Sequence, residues 1–502
     1  VLLARILFFH PVLICYVFPL PIIENVRSRQ YFVRLFGSGQ IGFSNGVNKR
    51  KYGSETSKPS KNIESESIKK DNWKILTKKL DSTKSGKERF GKMELVSKDD
   101  SVVDEMKCVH FGVCSGCTIK GDFKGATPVL KRATRFFTSE NVSMKVHLGN
   151  ITQWRTQVKL AVQPLSKWGG IKLGLYKAGS HVVEPIPNCA VHHPNINIAI
   201  DELKQHALQL NVRGYEEAKN GLPPQGELRY IQMSVERGTG KIQLVLVWNA
   251  ATYKDCEQTL PRLVKRLKGR PDIWHSVHVN FQTSEGNTIF NYNAKAWKSL
   301  WGPSLLREKI GNVTFFFQPQ IFRQANLNEF EASIIPTVLS HIPPNSTVSE
   351  LYSGIGTVGL NAAATAKEVY CSDNNEYVDE VFDKCADSLP EEHSEKVFFE
   401  CLSAEEAVLQ GQCDDCDVLV VDPPRKGLDD AVLQLMLGKH PEKPLPLGMK
   451  RMIYISCGFD ALERDTRALL SSGLWKLRSV DGFLLFPGSD HIESVVVFDR
   501  NG

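Results

Sequence analysis

From Ser346 onward the chain repeats one pattern, a short apolar run ending in a polar or glycine-bearing tip and followed by a stretch of helical period. Runs this short suit strands covered on both faces, and strand–helix alternation marks a doubly wound α/β domain around a parallel sheet. Such sheets bind ligands outside the carboxyl ends of their strands, so the residues at the tips are the functional candidates.

TVSELYSGIGTVGLNAAATA ends a strand at Leu351 and turns through Gly354 and Gly356 into an Ala-rich helix, where backbone N–H groups can approach a ligand. EVYCSD ends at Asp373, about twenty residues on, where a carboxylate can hold the two hydroxyls of a ribose. The glycines fall short of the dinucleotide fingerprint, which favours S-adenosylmethionine over NAD. VFFECLSAEEA places Ser403 near the adenine edge of such a cofactor, and CDVLVVDPPRKG carries Asp422 and two prolines, a stiff non-helical loop, to the same edge. KRMIYISCGFDALERD drives a strand into Cys457, followed by Gly458 and a helix whose positive end suits a thiolate nucleophile. A buried structural cysteine would sit within MIYI instead. DHIESVVVFDR puts His491 and Glu493 two apart on one face of a last strand, spaced for acid and base roles.

Between about 148 and 317 the pattern is alternation, in WRTQVKLAV, IKLGLYK, LRYIQMSVE, KIQLVLVW and SVHVNF, which predicts a β-rich domain. Trp154, Arg155, Lys159, Lys172 and Lys177 set cations beside an aromatic there, as a single-strand RNA surface would, although solvated strand faces look the same. FFFQPQIFRQANLNEFEA then passes from strand to turn to helix, with Asn326 placed to cap the helix and Gln324 to face a ligand.

Twelve cysteines in 502 residues are too sparse for a disulfide scaffold, yet three crowd into KCVHFGVCSGCTIK as Cys108, Cys114 and Cys117. With Cys189 in EPIPNCAVHH as a fourth thiolate the set suits zinc or an iron–sulfur cluster, the long first gap favouring the cluster. His192 and His193 leave a mixed Cys and His zinc site open. Cys413 and Cys416, in the acidic CDDC loop, read as free thiols.

The first fifty residues hold one acid, Glu24, against six arginines and lysines, which resembles an organelle transit peptide of chloroplast or mitochondrion. Prolines and Arg5 interrupt the apolar start, so no membrane span and no membrane partner are expected. From about 44 to 98 the Ser, Lys and Asn content predicts a solvated basic linker. Apolar residues at 42%, charged residues at 24% and a net charge of +6 are ordinary globular values that exclude a wholly disordered chain.

Taken in order, the cysteine triad, the remote cysteine, F-x-Q-x-N, Y-x-G-x-G, DPPR-x-G, SC and H-x-E resemble the RNA uracil-5-methyltransferase family, which uses S-adenosylmethionine to make 5-methyluridine in tRNA and rRNA. The likeness runs from Cys108 to near the end. It implies a 4Fe-4S cluster on Cys108, Cys114, Cys117 and Cys189, and cofactor contacts from Gln324, Tyr352, Asp373 and Asp422, with Thr357 where Asn is frequent. It implies Cys457 as nucleophile and Glu493 as base, with His491 beside it. Gly458 stands where the family more often has Asn, and no counterpart of its amino-terminal RNA-binding barrel precedes Cys108.

The expectation is therefore a multidomain α/β enzyme, with a targeting segment and linker over 1–106. An iron–sulfur and β-rich RNA-contacting region follows over 107–320, and a Rossmann-like methyltransferase domain over 321–502. It acts as a monomer on a uridine of tRNA or rRNA through a covalent cysteine adduct. The cluster is expected to organise the β-rich region for RNA, since methyl transfer needs no electrons. A non-catalytic iron–sulfur RNA-binding protein or RNA chaperone on the same fold is the alternative.

Overall fold

The computed structural model describes residues 106–121, 127–166, 169–218, 222–286 and 288–502, together with the backbone of two strands, Lys74–Leu76 and Met93–Ser97. Those two are β1 and β2. They are followed by β3 (Met144–Leu148), β4 (Gln157–Ser166), β5 (Gly169–Tyr176), β6 (Val183–Pro185), β7 (Leu228–Val235), β8 (Ile242–Trp248), β9 (Trp274–Phe281) and β10 (Trp297–Trp301). A hairpin of β11 (Leu306–Ile310) and β12 (Val313–Phe317) leads to β13 (Thr347–Leu351), β14 (Glu368–Ser372), β15 (Val397–Glu400), β16 (Val418–Val421), β17 (Arg451–Ser456), β18 (Trp475–Leu484) and β19 (Glu493–Arg500).

One sheet of ten strands runs β1-β2-β3-β18-β19-β17-β16-β13-β14-β15. The strands from β17 to β15 are parallel to their neighbours, and β19 enters antiparallel between β17 and β18. Side chains alternate between two separate cores, Leu419 and Val421 in one and Val418 and Val420 in the other, so β16 is buried on both faces. The chain order reverses between β13 and β16, the switch point at which a doubly wound sheet opens a crevice.

A second sheet, β10-β9-β8-β7-β4-β5-β6, is antiparallel except for the β8–β9 pair. All five alternating segments of the middle region become strands in it. The helix Pro194–Gln209 packs on β5 and β7 through an apolar stripe that includes Ile196, Ile200 and Leu203. Its start is fixed by Pro194 in the first turn and by His193 Nδ1, which accepts from the Asn195 N–H at 3.2 Å.

A buried ion network ties the seven-stranded sheet to the β11–β12 hairpin. Arg323 Nη2 donates to Glu308 Oε1 at 2.7 Å and to the Val235 carbonyl at 2.8 Å, while Arg237 Nε meets Glu308 Oε2 at 2.8 Å and its Nη1 meets Glu331 Oε2 at 2.6 Å. Arg323 and Glu308 are almost fully enclosed, so each charge depends on the other for the solvation it has lost.

Two expectations change. The linker does not extend to residue 106, because β2 joins β3 in parallel register and β1 pairs with β2. MELVS is too short to be stable alone, and β3 supplies the partner edge that composition cannot reveal. The boundary at 320–321 is also crossed, since β3 lies in the methyltransferase sheet beside β18. The helix Pro128–Ser139 likewise packs Phe136 and Phe137 on Phe459, each at 6.1 Å between ring centres, and pairs Arg132 with Asp460 and Glu463. The predicted targeting segment and most of the predicted linker lie outside the described residues. Among the described residues, no helix is long and apolar enough to cross a membrane.

Candidate active site

At the tip of β13, Tyr352 takes a left-handed conformation, φ 57°, a strained choice for a residue with a side chain. Its hydroxyl donates to Asp429 Oδ2 and accepts from the Asp429 N–H, both at 3.1 Å. Gly354 and Gly356 follow at φ 52° and 72°, and a Cβ at Gly356 would strike the Phe382 ring. The Gly354 N–H donates to Asp373 Oδ2 at 2.9 Å, and Asp373 Oδ1 accepts from the Asn375 N–H at 3.0 Å. Asp373 thus bridges the tips of β13 and β14. The Thr357 carbonyl accepts from Asn361 Nδ2 at 2.8 Å.

Sequence reasoning missed Glu350. It sits inside β13, accepts from the Gly359 N–H at 2.7 Å and from the Cys371 thiol at 3.4 Å, and so pins the glycine turn to the sheet. Burial pushes its carboxyl up to about 8. The signal was present as the one acid in a run of otherwise buried strand residues.

Gln324 lies half-buried between two anchors, Arg323 and Asn326. Asn326 caps Leu327–Glu329 by accepting from the Glu329 N–H at 3.2 Å, as its position predicts, and donates to the Leu485 carbonyl at 2.8 Å. Ser403 is the N-cap of Ala404–Gln410, where its hydroxyl closes a capping box with Glu406 and accepts from the Glu406 N–H at 3.2 Å. Cys413 and Cys416 are buried free thiols, Cys413 Sγ lying 3.7 Å from Ser349 Oγ.

Strand register assembles the other end of the crevice. In the antiparallel β17–β19 pair Ser456 faces Ser494, so one step further Cys457 comes opposite Glu493. Asp422 sits one strand away at the tip of β16, its N–H 3.4 Å from the Leu351 carbonyl. Burial, then the facing Glu493 and Asp422 carboxylates, push the Cys457 thiol up to about 11, and the Arg425 guanidinium opposes them. Burial and Asp422 likewise hold Glu493 well above the carboxylate range, with Arg425 again opposing. Asp422 itself is pushed up to about 7 by burial and by Asp373. The helix Phe459–Ser471 begins just beyond Cys457, and burial with the facing carboxylates outweighs its positive end in holding the thiol raised.

His491 does not share a strand face with Glu493. β19 begins at Glu493, and His491 is exposed in the preceding loop. Alternation alone could not show that the turn around Gly488 delays the strand by two residues.

The DPPR loop is held by Asp465, which sequence reasoning also missed. Fully buried, it accepts from the Leu428 N–H at 3.1 Å and the Tyr454 hydroxyl at 3.0 Å. Gly427, at φ 88°, leaves room for it, since a Cβ there would lie 2.5 Å from Asp465 Oδ2. Gly458 has a comparable reason, because its Cβ would fall 2.8 Å from the Arg425 carbonyl oxygen.

Cys108, Cys114, Cys117 and Cys189 line one cavity of about 130 Å³, with Arg155 and Phe486 on its wall. Burial and the other three thiols push Cys117 up to about 12, a repulsion that a cationic centre among them would relieve. Four thiols on one cavity are the donor set that a thiolate-bound centre would use. Among the described residues, no three Cys, His, Asp or Glu side chains converge as a single-ion site. His193 caps a helix, while His192 lines the cysteine cavity with its Nδ1 3.2 Å from Asn197 Oδ1. The cysteine loop is also tied to the active site, since the Thr118 and Ile119 N–H groups donate to the Gly488 carbonyl at 2.7 and 2.9 Å. Trp154 is buried with Arg155 stacked on it at 4.7 Å, and Lys177 pairs with Glu184 at 3.1 Å, so much of the expected RNA face is already engaged.

A doubly wound sheet with a glycine turn, a bridging carboxylate and acidic tips at its switch point is the arrangement of a nucleoside-cofactor-binding α/β fold. A family model described as tRNA (uracil-5-)-methyltransferase matches residues 348–501. An uncharacterized RNA methyltransferase of Protochlamydia amoebophila is 35% identical over 400 residues, covering 79% of this chain and 98% of that protein. Another from Halalkalibacterium halodurans is 28% identical over 407 residues, covering 79% and 83%. The crystal structure of Pyrococcus abyssi tRNA (uracil-54, C5)-methyltransferase in complex with S-adenosyl-L-homocysteine superposes with a TM-score of 0.58 at 19% identity, covering 77% of this chain and 86% of that one. The chain belongs to the RNA uracil-5-methyltransferase family and is an RNA methyltransferase.

Proposed function

We propose that the protein methylates C5 of a uridine in tRNA or rRNA through a covalent adduct of Cys457 at C6. The observation that carries this is the β17–β19 register, which sets a thiol and a buried carboxylate opposite each other beside Asp422. Gln324, Tyr352, Gly354, Gly356, Thr357, Asp373, Ser403 and Asp422 are the proposed cofactor contacts. When bound, S-adenosylmethionine supplies an electrophilic sulfonium methyl group. C5 of uracil is too weak a nucleophile to take it unaided. Cys457, its proton lost to water, forms a bond to C6 and moves the C5=C6 electron pair toward C5, which would bond to the methyl as the methyl–sulfur bond breaks and its electron pair stays on the departing sulfur. The Glu493 carboxylate removes the C5 proton, the C5–H pair restores the double bond, and the Cys457 thiolate leaves. The target base must leave its stack for Cys457 to reach it, so the substrate presents a loop or single strand.

We further propose that Cys108, Cys114, Cys117 and Cys189 hold a 4Fe-4S cluster that braces the Gly488 turn ahead of Glu493, in a chain acting as a monomer. The test is methyl transfer from labelled S-adenosylmethionine to total RNA lacking 5-methyluridine, followed by digestion to nucleosides. Cluster-loaded wild type is expected to yield 5-methyluridine and Cys457→Ala none. Transfer that survives Cys457→Ala would overturn the mechanism, and RNA binding without transfer would favour a non-catalytic role.

A further inference from the structure

A second cavity, of about 250 Å³, lies under the edge strand β10 and is lined by His278, Trp297, Lys298, Ser299, Gln318 and Gln320. It is near the small end of pockets that take organic ligands. Its lining mixes apolar and polar surface, and two of its groups are buried without a hydrogen-bond partner, Trp297 Nε1 as donor and Gln320 Oε1 as acceptor. Polar atoms withdrawn from water in this way are costly unless something satisfies them. The strand is irregular at the same place, with a bulge between Ser299 and Trp301, as strands often are beside binding sites.

The surroundings indicate what fits. Phe290 stands 5.1 Å from Trp297 and 6.3 Å from the exposed Tyr292, and the Lys159 ammonium lies 5.0 Å from the Phe290 ring. The Lys298 ammonium, 4.2 Å from the Tyr253 ring, lies on the opposite face of β10, since Lys298 pairs with Val279 whereas Trp297 pairs with Asn280. Aromatic faces interleaved with lysines are what a single strand needs for stacking and phosphate neutralisation. The shelf also reaches the cofactor edge, because the Tyr377 hydroxyl donates to the Tyr292 carbonyl at 3.4 Å, four residues after Asp373. Gln320 lies four residues before Gln324 on one continuous segment.

We propose that this cavity receives an unstacked nucleobase of the RNA substrate, the Trp297 donor and the Gln320 acceptor reading the base while Lys159 meets its phosphate. The proposal rests on the protein's acting on RNA and is independent of the C5 chemistry.

The experiment measures binding of an end-labelled, random-sequence 12-nucleotide RNA to the full chain, with AMP, GMP, CMP and UMP as competitors. Trp297→Phe keeps an aromatic ring and removes the donor, Gln320→Met removes the acceptor, and Lys159→Ala alters an exposed position on the same face. Each is expected to weaken RNA binding about tenfold, the mononucleotides competing only weakly, while the methyl-transfer rate at saturating RNA stays within about twofold of wild type. Wild-type RNA affinity in Lys159→Ala and Trp297→Phe would overturn the proposal, the cavity then holding only water. Mononucleotides that bind as tightly as the RNA would overturn it in favour of a free-nucleotide site. Weakened RNA binding in a protein that forms no 5-methyluridine would leave this inference standing and refute the proposed reaction.

Discussion

The crevice of the ten-stranded sheet and the surface of the seven-stranded sheet solve different problems. In the crevice, reacting groups come from strand tips, and register decides who faces whom: Cys457 meets Glu493 because Ser456 pairs with Ser494. On the seven-stranded sheet, the groups that can touch RNA come from separate segments, as when Lys159 of β4 reaches Phe290 and Lys298 of β10 reaches Tyr253. Backbone pairing fixes the first arrangement, whereas side-chain packing fixes the second. A crevice of the first kind holds the reaction geometry rigid while a surface of the second kind can vary with the RNA.

If register alone sets the chemistry, Glu493→Gln should preserve the fold and the thiol while removing the base. The expected loss in turnover is on the order of a hundredfold to ten-thousandfold, with the Cys457–RNA adduct accumulating as a band resistant to denaturant. An adduct level equal to wild type together with normal turnover would show that another group takes the C5 proton.

The Arg323–Glu308–Arg237 network joins the seven-stranded sheet to the hairpin and to the segment that carries Gln324, and breaking it tests how far the cofactor end depends on that sheet. Arg323→Met leaves Glu308 buried with one cation instead of two, at a cost of about 3–5 kcal/mol, read by urea denaturation. Because Arg323 precedes Gln324, the cofactor Kd should also rise while RNA affinity changes less. Equal losses in both would mean that the sheets behave as one unit.

The same contrast explains what could be read in advance. Leu351, Asp373, Asp422 and Cys457 were legible because a short apolar run marks its own end, and the end of a parallel strand is where ligands sit. Asp465 was not, since its value lies in the Leu428 N–H and the Tyr454 hydroxyl, neither adjacent in sequence. Gly458 reads as a mere departure from Asn until the Arg425 carbonyl is seen 2.8 Å from the missing Cβ. His491 was misplaced because alternation gives the period of a strand and not its first residue. β2 was missed because its partner edge comes from β3, some fifty residues away in the chain. On the seven-stranded sheet the strands themselves were plain, while the cation–aromatic contacts between them were not.

Gly458→Ala tests the crowding at the nucleophile directly. The added methyl must displace the Arg425 backbone or its own, so a cost of about 1–3 kcal/mol is expected, with a larger fall in the adduct-forming rate than in cofactor affinity. A fully stable and active variant would show that the DPPR loop yields easily.

The smallest effect is expected from Arg425→Gln, and it separates charge from position. Arg425 lowers the proton affinity of both Cys457 and Glu493, so its removal raises both. With the thiol already held up to about 11, the thiolate fraction climbs with pH throughout the neutral range, about tenfold per unit. Single-turnover rates at saturating RNA should rise on that slope in the wild type, and the variant should follow a parallel limb displaced to higher pH, slower at every neutral pH. The fold itself should respond with the matching sign. A thiol whose affinity for its proton is raised by folding contributes stability below its ordinary value near 9, and that contribution is lost as pH rises through about 11. Cys457→Ala should therefore flatten the alkaline loss of stability that the wild type shows. If the two rate profiles coincide, Arg425 acts by touching RNA phosphate rather than by setting the nucleophile, and the crevice would share the side-chain logic of the seven-stranded surface.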